Sequence, residues 1–169
     1  MIHIYCGDGK GKTSAAFGAA IRAVGNDMKV LIAQFLKCGT SGELEILRSM
    51  EQITVFVSDR ADQFIWNMNE QELVEAKKIN QSILEEVIEN ADQFEMIILD
   101  EMAAALQNDM VDKAKLILFL KKYQNKCEII ITGRNPASEL IEMADYITEM
   151  KKIRHPFDRG ISARKGIEY

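Results

Sequence analysis

Residues 6–14, with the sequence CGDGKGKTS, combine glycine, lysine and threonine in the order of a phosphate-binding loop. The stretch ends Gly11-Lys12-Thr13, which is the last part of the Walker A pattern. Its glycines let backbone N–H groups approach a polyphosphate, because no side chain stands in the way. Lys12 would add a mobile charge, and the Thr13 hydroxyl could bind magnesium. The sequence therefore predicts a site for a magnesium nucleotide.

The surroundings of this loop support the same interpretation. An apolar run at 2–5 precedes it and an alanine-rich stretch follows it, which predicts the order strand, loop, helix. The positive end of that helix would face the bound anion. One residue departs from the pattern, since Cys6 stands where the full motif has glycine. The alternative is a surface turn rich in glycine and lysine, and the flanking strand and helix argue against it.

Two carboxylates follow a second apolar strand. Asp100 and Glu101 come directly after the run at 96–99. This is a Walker B pattern, in which an acid at the end of a buried strand orders magnesium. The pair could instead cap the helix after it. Because a Walker A loop is also present, we favour the metal-binding role.

A third polar group, Thr132-Gly133-Arg134, follows the apolar strand predicted at 128–132. Arg134 could donate a fork of hydrogen bonds to a phosphate. An isolated arginine on a loop is usually solvated, so this prediction depends on where the strand ends.

The sequence contains no recognisable protein nucleophile, since neither a Cys-His nor a Ser-His-Asp arrangement can be identified. The nucleophile would then be water or a second substrate. One rival function is an ATPase or kinase, in which Glu101 would activate water and orthophosphate would be released from ATP alone. Another is a non-catalytic nucleotide-binding module, which would have less need of the metal-binding acids.

The remaining pattern predicts the elements that position these groups. We expect strands at 2–5, 30–35, 53–57, 96–99, 128–132 and 146–150. We expect helices at 13–24, 43–50, 70–90, 111–123 and 136–144, the last with Pro136 near its first turn. This alternation predicts a doubly wound α/β fold of the P-loop NTPase type, with a mainly parallel sheet and helices on both faces. Ligands of such folds lie at the carboxyl ends of the strands.

Two segments are predicted less definitely. Residues 58–69 form an irregular loop around large apolar side chains, which either anchor the loop to the core or serve a ligand. Residues 153–169 alternate weakly, and we expect a hairpin or an edge segment there.

Composition limits the classes of function. At 169 residues, with 47% hydrophobic and 28% charged residues, the chain is expected to form one domain spanning 1–169. A net charge of −5 argues against a general nucleic-acid binder. Cys6, Cys38 and Cys127 lack paired spacing and are expected to be reduced thiols of a cytoplasmic protein. Neither a signal peptide nor a membrane span is predicted.

The chain also resembles ATP:corrinoid adenosyltransferases of the type that adenosylates cob(I)alamin and cob(I)yrinic acid a,c-diamide. The resemblance covers nearly the whole chain. It is carried by GDGKGKTSAAFGAAIRAVG, QFLKCGTSGE, Phe64-Ile65-Trp66, the LDE at 99–101, the TGR at 132–134, Ala144-Asp145 and the tail HPFDRGISARKGIEY.

The resemblance implies a reaction that explains the missing nucleophile. The Co(I) of a reduced corrinoid would attack the 5′ carbon of ATP, and tripolyphosphate would leave. Magnesium is then the expected cofactor, and ATP and a corrinoid are the expected substrates. A flavoprotein reductant and a homodimer are further expectations. Many members carry a segment before the first strand that is thought to help cover the active site, and the present sequence starts at that strand, so the resemblance leaves corrinoid affinity, lid closure and subunit contacts open.

The resemblance also assigns roles to residues. The expected ATP-binding residues are Gly7, Asp8, Gly9, Lys10, Gly11, Lys12, Thr13, Ser14 and Arg134. Thr13 and Glu101 are the first expected metal contacts, and Asp100 is the next candidate. The residues expected to act in catalysis are Lys12, Arg134, Phe64 and Trp66. The two aromatic residues would bind the corrinoid, press on its lower face and exclude the axial ligand, which makes Co(II) easier to reduce.

Overall fold

The predicted phosphate loop and acid pair both lie at strand ends of one parallel sheet. A computed structural model describes residues 1–38, 41–58 and 68–167. The strands are β1 (Ile2–Cys6), β2 (Val30–Cys38), β3 (Ile53–Ser58), β4 (Met96–Asp100), β5 (Glu128–Thr132) and β6 (Tyr146–Glu149). Their order is β3-β2-β4-β5-β1-β6, and every pairing is parallel. All strands therefore present their carboxyl ends to the same edge of the sheet.

Helices cover both faces of this sheet. They are α1 (Lys12–Val24), α2 (Gly42–Arg48), α3 (Glu70–Asn90), α4 (Met102–Gln107), α5 (Lys113–Tyr123) and α6 (Ser138–Met143). Helices α1 and α2 bury apolar residues in one core, and α3 to α6 bury theirs in the other. The strands lie between the two cores, and successive strand residues alternate between them, as in Ile97 and Ile98 of β4. This confirms the predicted α/β fold with helices on both faces.

Local sequence accounts for the ends of several helices. Asn69 and Glu72 form a capping box at the start of α3, with each side chain bonded to the other residue's backbone N–H. Asp112 caps α5 by accepting a hydrogen bond from the N–H of Lys115. Helix α5 therefore starts two residues later than the predicted position. None of the described helices is long and apolar enough to cross a membrane.

Three predictions of secondary structure are wrong. Helix α4 was not expected, because its short sequence of alanine, leucine and methionine follows the strand without a turn residue. Pro136 lies outside α6, since Ala137 is extended and the helix begins at Ser138. The tail forms neither a hairpin nor a strand over the described residues 150–167, where Pro156–Arg159 make a short 3₁₀ turn. His155 accepts a hydrogen bond from the N–H of Phe157 and so starts that turn, which competes with extended pairing.

Candidate active site

A cleft of about 730 Å³ opens at the carboxyl edge of the sheet. Five groups of described residues line it, namely the loop Gly9–Gly11, the first turns of α1, Lys37 with α2, Glu101, and the tail residues Gly166 and Ile167. Its volume is typical of a small-molecule site. The structure therefore brings the two predicted Walker motifs to one cavity.

The start of α1 is built to receive an anion. Gly11 precedes the helix with a φ of 109°, a left-handed conformation that favours glycine. No side chain caps the helix at this end. Its first N–H groups and its dipole therefore present partial positive charge beside the cleft. Ser14, a predicted phosphate ligand, lies in this first turn and is exposed.

Lys12 folds back over its own loop. Its ammonium donates to the carbonyl oxygens of Gly7 and Gly9, at 2.8 and 2.9 Å. Burial lowers the pKa of Lys12, although the carboxylate of Glu101 opposes that shift, and Arg134 lowers the pKa further. The ammonium is thus held at the loop by carbonyl oxygens, which are weaker partners than a phosphate would be.

Gly7 and Gly9 serve a packing role that the motif did not reveal. The N–H of Gly7 donates to the carbonyl of Arg134 at 3.2 Å, and the N–H of Gly9 donates to that of Met150 at 2.6 Å. A Cβ at either glycine would lie 2.5 Å from the Met150 carbonyl oxygen. The loop therefore packs backbone to backbone on the segment that leaves β6, and only glycine allows this approach.

Asp8 and Lys10 connect the loop to the tail. The Asp8 carboxylate accepts a hydrogen bond from the N–H of Lys152 at 3.0 Å, and this bond lowers the pKa of Asp8. The Lys10 ammonium donates to the carbonyl of Ile167 at 2.7 Å. Both predicted nucleotide ligands thus also hold residues 150–167 beside the cleft.

Asp100 is the most buried charge at this edge, with no exposed side-chain surface. Its Oδ1 accepts hydrogen bonds from the hydroxyls of Thr13 at 2.9 Å and Thr132 at 2.7 Å. Its Oδ2 accepts from the Gln34 amide and the Lys37 ammonium, each at 3.0 Å. Burial alone would raise the pKa of Asp100, but Lys37, Gln34 and Thr132 together lower it. Asp100 therefore stays ionised beneath the cleft.

Glu101 projects from the end of the same strand into the cleft. Its backbone is left-handed, with a φ of 60°, and its N–H donates to the Thr132 hydroxyl at 2.9 Å. For a residue with a Cβ this conformation costs about 1–2 kcal/mol. Neither acid caps α4, because no side-chain cap bond is present at its start. The alternative role of the pair as a helix cap is therefore wrong.

Lys37 is a site residue that the sequence analysis missed. Its ammonium lies 3.0 Å from Asp100 Oδ2, 3.6 Å from Glu101 Oε1 and 3.3 Å from Thr13 Oγ1. Burial would lower the pKa of Lys37, but the carboxylates of Asp100 and Glu101 outweigh it and raise that pKa. The available signal was a lysine two residues after the apolar strand predicted at 30–35.

Arg134 is brought to the loop but not into the cleft lining. Its carbonyl bonds Gly7, while its side chain is exposed. The preceding Gly133 has a φ of 150°, and a Cβ there would meet the Cβ of Ala103 at 2.5 Å. The glycine of the TGR sequence thus lets α4 pack against the end of β5. A phosphate contact by Arg134 stays a prediction.

A family model describing ATP:corrinoid adenosyltransferases (BtuR/CobO/CobP) matches residues 1–169. The chain belongs to this family. Membership makes it a transferase, with ATP and a corrinoid as its substrates. The resemblance recognised in the sequence is thereby confirmed.

Individual family members are similar over the full chain. A corrinoid adenosyltransferase of Sinorhizobium sp. is 32% identical, with 100% of this chain and 80% of the relative aligned. That of Escherichia coli K12 is also 32% identical, over 100% of this chain and 85% of the relative. Corrinoid adenosyltransferase CobA of Salmonella typhimurium gives the same identity and coverage.

Solved structures with a similar backbone carry the P-loop NTPase fold. The flagellar accessory protein FlaH of Methanocaldococcus jannaschii aligns with a TM-score of 0.57 at 16% identity, over 88% of this chain and 69% of FlaH. The ATPase domains 2 and 3 of EssC from Geobacillus thermodenitrificans give a TM-score of 0.50 at 14% identity, over 98% of this chain and 34% of EssC. At these identities the likeness shows the fold alone.

The oxygen donors at the cleft fit the magnesium ion that the Walker motifs imply. The Thr13 hydroxyl and the Glu101 carboxylate lie on the cleft, and Asp100 bonds Thr13 from beneath. Magnesium usually takes one or two carboxylates and completes its shell with substrate phosphates and water. The described part of the chain has no group of three or more His, Cys, Asp or Glu residues that could hold a metal ion.

Two predicted site residues cannot be placed. Phe64 and Trp66 lie outside the described residues, so their corrinoid-binding role stays a prediction. The thiols of Cys6 and Cys127 are free and buried, and the side chain of Cys38 is not described.

Proposed function

We propose that the protein transfers the 5′-deoxyadenosyl group of ATP to the Co(I) of a reduced corrinoid and releases tripolyphosphate, in the biosynthesis or salvage of adenosylcobalamin. The observation that carries this proposal is one cleft that joins Lys12 and Thr13 to Glu101, in a chain that the family model matches from end to end. In the transfer, a cobalt–carbon bond forms with the electron pair of Co(I). The bond between C5′ and the triphosphate oxygen breaks, and tripolyphosphate leaves with that bond's electron pair.

The protein would supply position and charge rather than a nucleophile. The start of α1 and the Lys12 ammonium would bind the triphosphate, which becomes the leaving group, and Arg134 would act near it. Magnesium, held by Thr13 and Glu101, would offset negative charge on the phosphates. The described lining of the cleft contains neither cysteine nor histidine, in keeping with attack by the corrinoid substrate.

The decisive experiment is an anaerobic assay with ATP, Mg²⁺ and chemically reduced cob(I)alamin. We expect the Co(I) absorbance to fall while light-sensitive adenosylcobalamin and tripolyphosphate form in equal amounts. Lys12→Met should abolish this activity. Lys29→Met is the matched control, because Lys29 lies just before β2, at the opposite end of the sheet.

The phosphate product distinguishes the proposed transferase from the alternative, an ATPase. Steady release of orthophosphate from ATP without adenosylation would favour an ATPase and contradict the proposal. The same assay with cob(I)yrinic acid a,c-diamide in place of cob(I)alamin would show which corrinoid is preferred.

We further propose that Phe64 and Trp66 contact the corrinoid. This rests on the family resemblance at these residues. Phe64→Ala and Trp66→Ala should bind ATP like the parent protein but adenosylate poorly when a Co(II) corrinoid and a reductant are supplied. If both variants kept full turnover from Co(II), the two side chains would be anchors of their loop.

The cellular setting is also proposed. A flavoprotein would deliver the electron, the protein would form a homodimer, and the reaction would take place in the cytoplasm. The free thiols of Cys6 and Cys127 are compatible with a reducing compartment. Sedimentation velocity on the purified chain tests the dimer directly.

A further inference from the structure

The ammonium of Lys37 lies among the oxygens that the proposed magnesium ion would need. It is within 3.6 Å of one oxygen from each of Thr13, Asp100 and Glu101. Two of those oxygens belong to carboxylates, and one of these carboxylates is wholly buried. A lysine ammonium and a divalent cation seek the same kind of partner, so the two compete for these oxygens.

The backbone is shaped to aim Lys37 at this point. The register of β2 against β3 shifts between Gln34 and Cys38, which marks a bulge. Within the bulge Leu36 is left-handed, with a φ of 58°. The N–H of Leu36 donates to Asn80 Oδ1 at 3.0 Å, and Asn80 is itself buried and bonded to the carbonyl of Ala76. Bulges of this kind re-aim a side chain beside an active site.

The local charges make a free divalent ion a poor competitor. Lys37 already neutralises one charge of the Asp100 and Glu101 pair, and Lys12 places a second ammonium on the same cleft. An added divalent ion would meet both cations and would have to separate Lys37 from a buried carboxylate. Nucleotide phosphates change this, because they bring negative charge that can bind the displaced ammonium.

We propose that the Lys37 ammonium is a built-in counter-ion at the metal position. It excludes free divalent cations and is displaced only when the metal binds together with nucleotide phosphates. This inference rests on the proposed metal–nucleotide site. Lys37 is in this sense a positioning residue, because it decides the order in which metal and nucleotide bind.

The test measures metal binding without turnover. The full chain is titrated with Mn²⁺ in the absence of nucleotide, and free Mn²⁺ is followed by electron paramagnetic resonance. We expect the parent protein, Lys37→Arg and the matched charge control Lys29→Met to bind Mn²⁺ only weakly. Lys37→Met should bind it at least about tenfold more tightly, which corresponds to about 1.4 kcal/mol. Lys37→Gln, which keeps a donor for Asp100, is measured beside it, and a urea melt checks that each variant is folded.

Two results would overturn the inference. One is a folded Lys37→Met or Lys37→Gln variant whose Mn²⁺ affinity equals that of the parent. The other is an equal gain in Lys29→Met, which would indicate a general effect of net charge. A parallel titration with ATP, in which protein-bound Mn²⁺ is measured against a control of Mn²⁺ and ATP without protein, separates the two proposals. If ATP promotes Mn²⁺ binding by the parent while the Lys37 variants gain nothing without ATP, the inference fails and the metal–nucleotide site stands. If ATP does not promote binding, the site itself fails.

Discussion

Charged side chains at the two ends of the sheet differ in burial and in hydrogen bonding. At the carboxyl end, Asp100 has no exposed side-chain surface and receives four hydrogen bonds. At the amino end, His3 and Glu128 form a pair at 2.7 Å, and the Glu128 side chain is 37% exposed. His3 also stacks on the ring of Tyr146. The Glu128 carboxylate at the amino end is therefore partly screened by water, whereas the Asp100 carboxylate at the carboxyl end is buried beneath a cleft.

The difference shows where the fold accepts an energetic cost. An exposed pair contributes little to stability because water screens it and its side chains must be ordered. A buried pair costs desolvation, and removing one partner leaves the other groups unsatisfied. The carboxyl end also holds the left-handed backbones of Leu36 and Glu101. These two strained residues and the buried Asp100 carboxylate thus lie at the edge where the substrates are proposed to bind, while two further left-handed residues, Asp27 and Asp109, lie in turns elsewhere.

The largest expected effect breaks the buried network. Asp100→Ala removes the acceptor shared by Thr13, Thr132, Gln34 and Lys37, and we expect it to lower the free energy of unfolding by about 3 kcal/mol or more. Glu128→Ala removes the exposed partner of His3 and should cost less than about 1 kcal/mol. Urea denaturation of both variants measures the difference.

Equal losses in the two variants would contradict this contrast. So would a change in the denaturant slope for Asp100→Ala alone, since that would indicate loss of two-state unfolding rather than of one network.

A second prediction concerns the packing of the phosphate loop at the carboxyl end. Gly9→Ala would place a Cβ 2.5 Å from the Met150 carbonyl oxygen, so the segment after β6 must shift. We expect a loss of about 1–3 kcal/mol in stability and weaker ATP binding. Gly18→Ala lies in the same helix–loop unit, but its Cβ would meet no atom within 4 Å. It should stabilise the protein by about 0.5–1 kcal/mol.

Thermal melts and ATP titrations of this glycine pair check the prediction. If Gly9→Ala were as stable as the parent and bound ATP equally well, the close approach to Met150 would not hold the loop.

The smallest expected effect concerns the ionisation of a buried thiol at the amino end of the sheet. Burial raises the pKa of Cys127, just before β5, from 9.0 to about 11. The folded protein then keeps the thiol proton while the unfolded chain loses it, so stability falls as pH rises from about 9 to about 11. We expect this decline to be about 1–2 kcal/mol larger in the parent than in Cys127→Ala.

Unfolding free energies of both proteins at several values of pH in this window provide the measurement. Parallel curves would show that the Cys127 thiol ionises alike in the folded and unfolded chains. The Asp100 network should contribute equally to stability at every pH in this alkaline window. Because the pKa of Asp100 is lowered in the folded protein, its stabilisation is lost only as pH falls below about 3.8.

Much of the fold could be predicted from the sequence because its signals are local. The apolar runs became β1 to β6, and α3 spans the predicted residues 70–90. Helix α4 and the start of α6 were missed, because their ends are set by how the chain leaves β4 and β5. The tail was also missed, since the cap at His155 outweighs its weak alternation.

The candidate site divides in the same way. Lys12, Thr13, Asp100 and Glu101 could be proposed from residue types and spacing, because each of the two Walker motifs is contiguous in the sequence. Only the tertiary structure brought Lys37 to Asp100, because β2 and β4 are neighbours in the sheet although 63 residues separate the two side chains. It also decided that Gly7 and Gly9 face the backbone after β6. A phosphate loop can be recognised from its own residues, but the partner of a buried charge depends on which strands lie side by side, and long-range packing alone fixes that order.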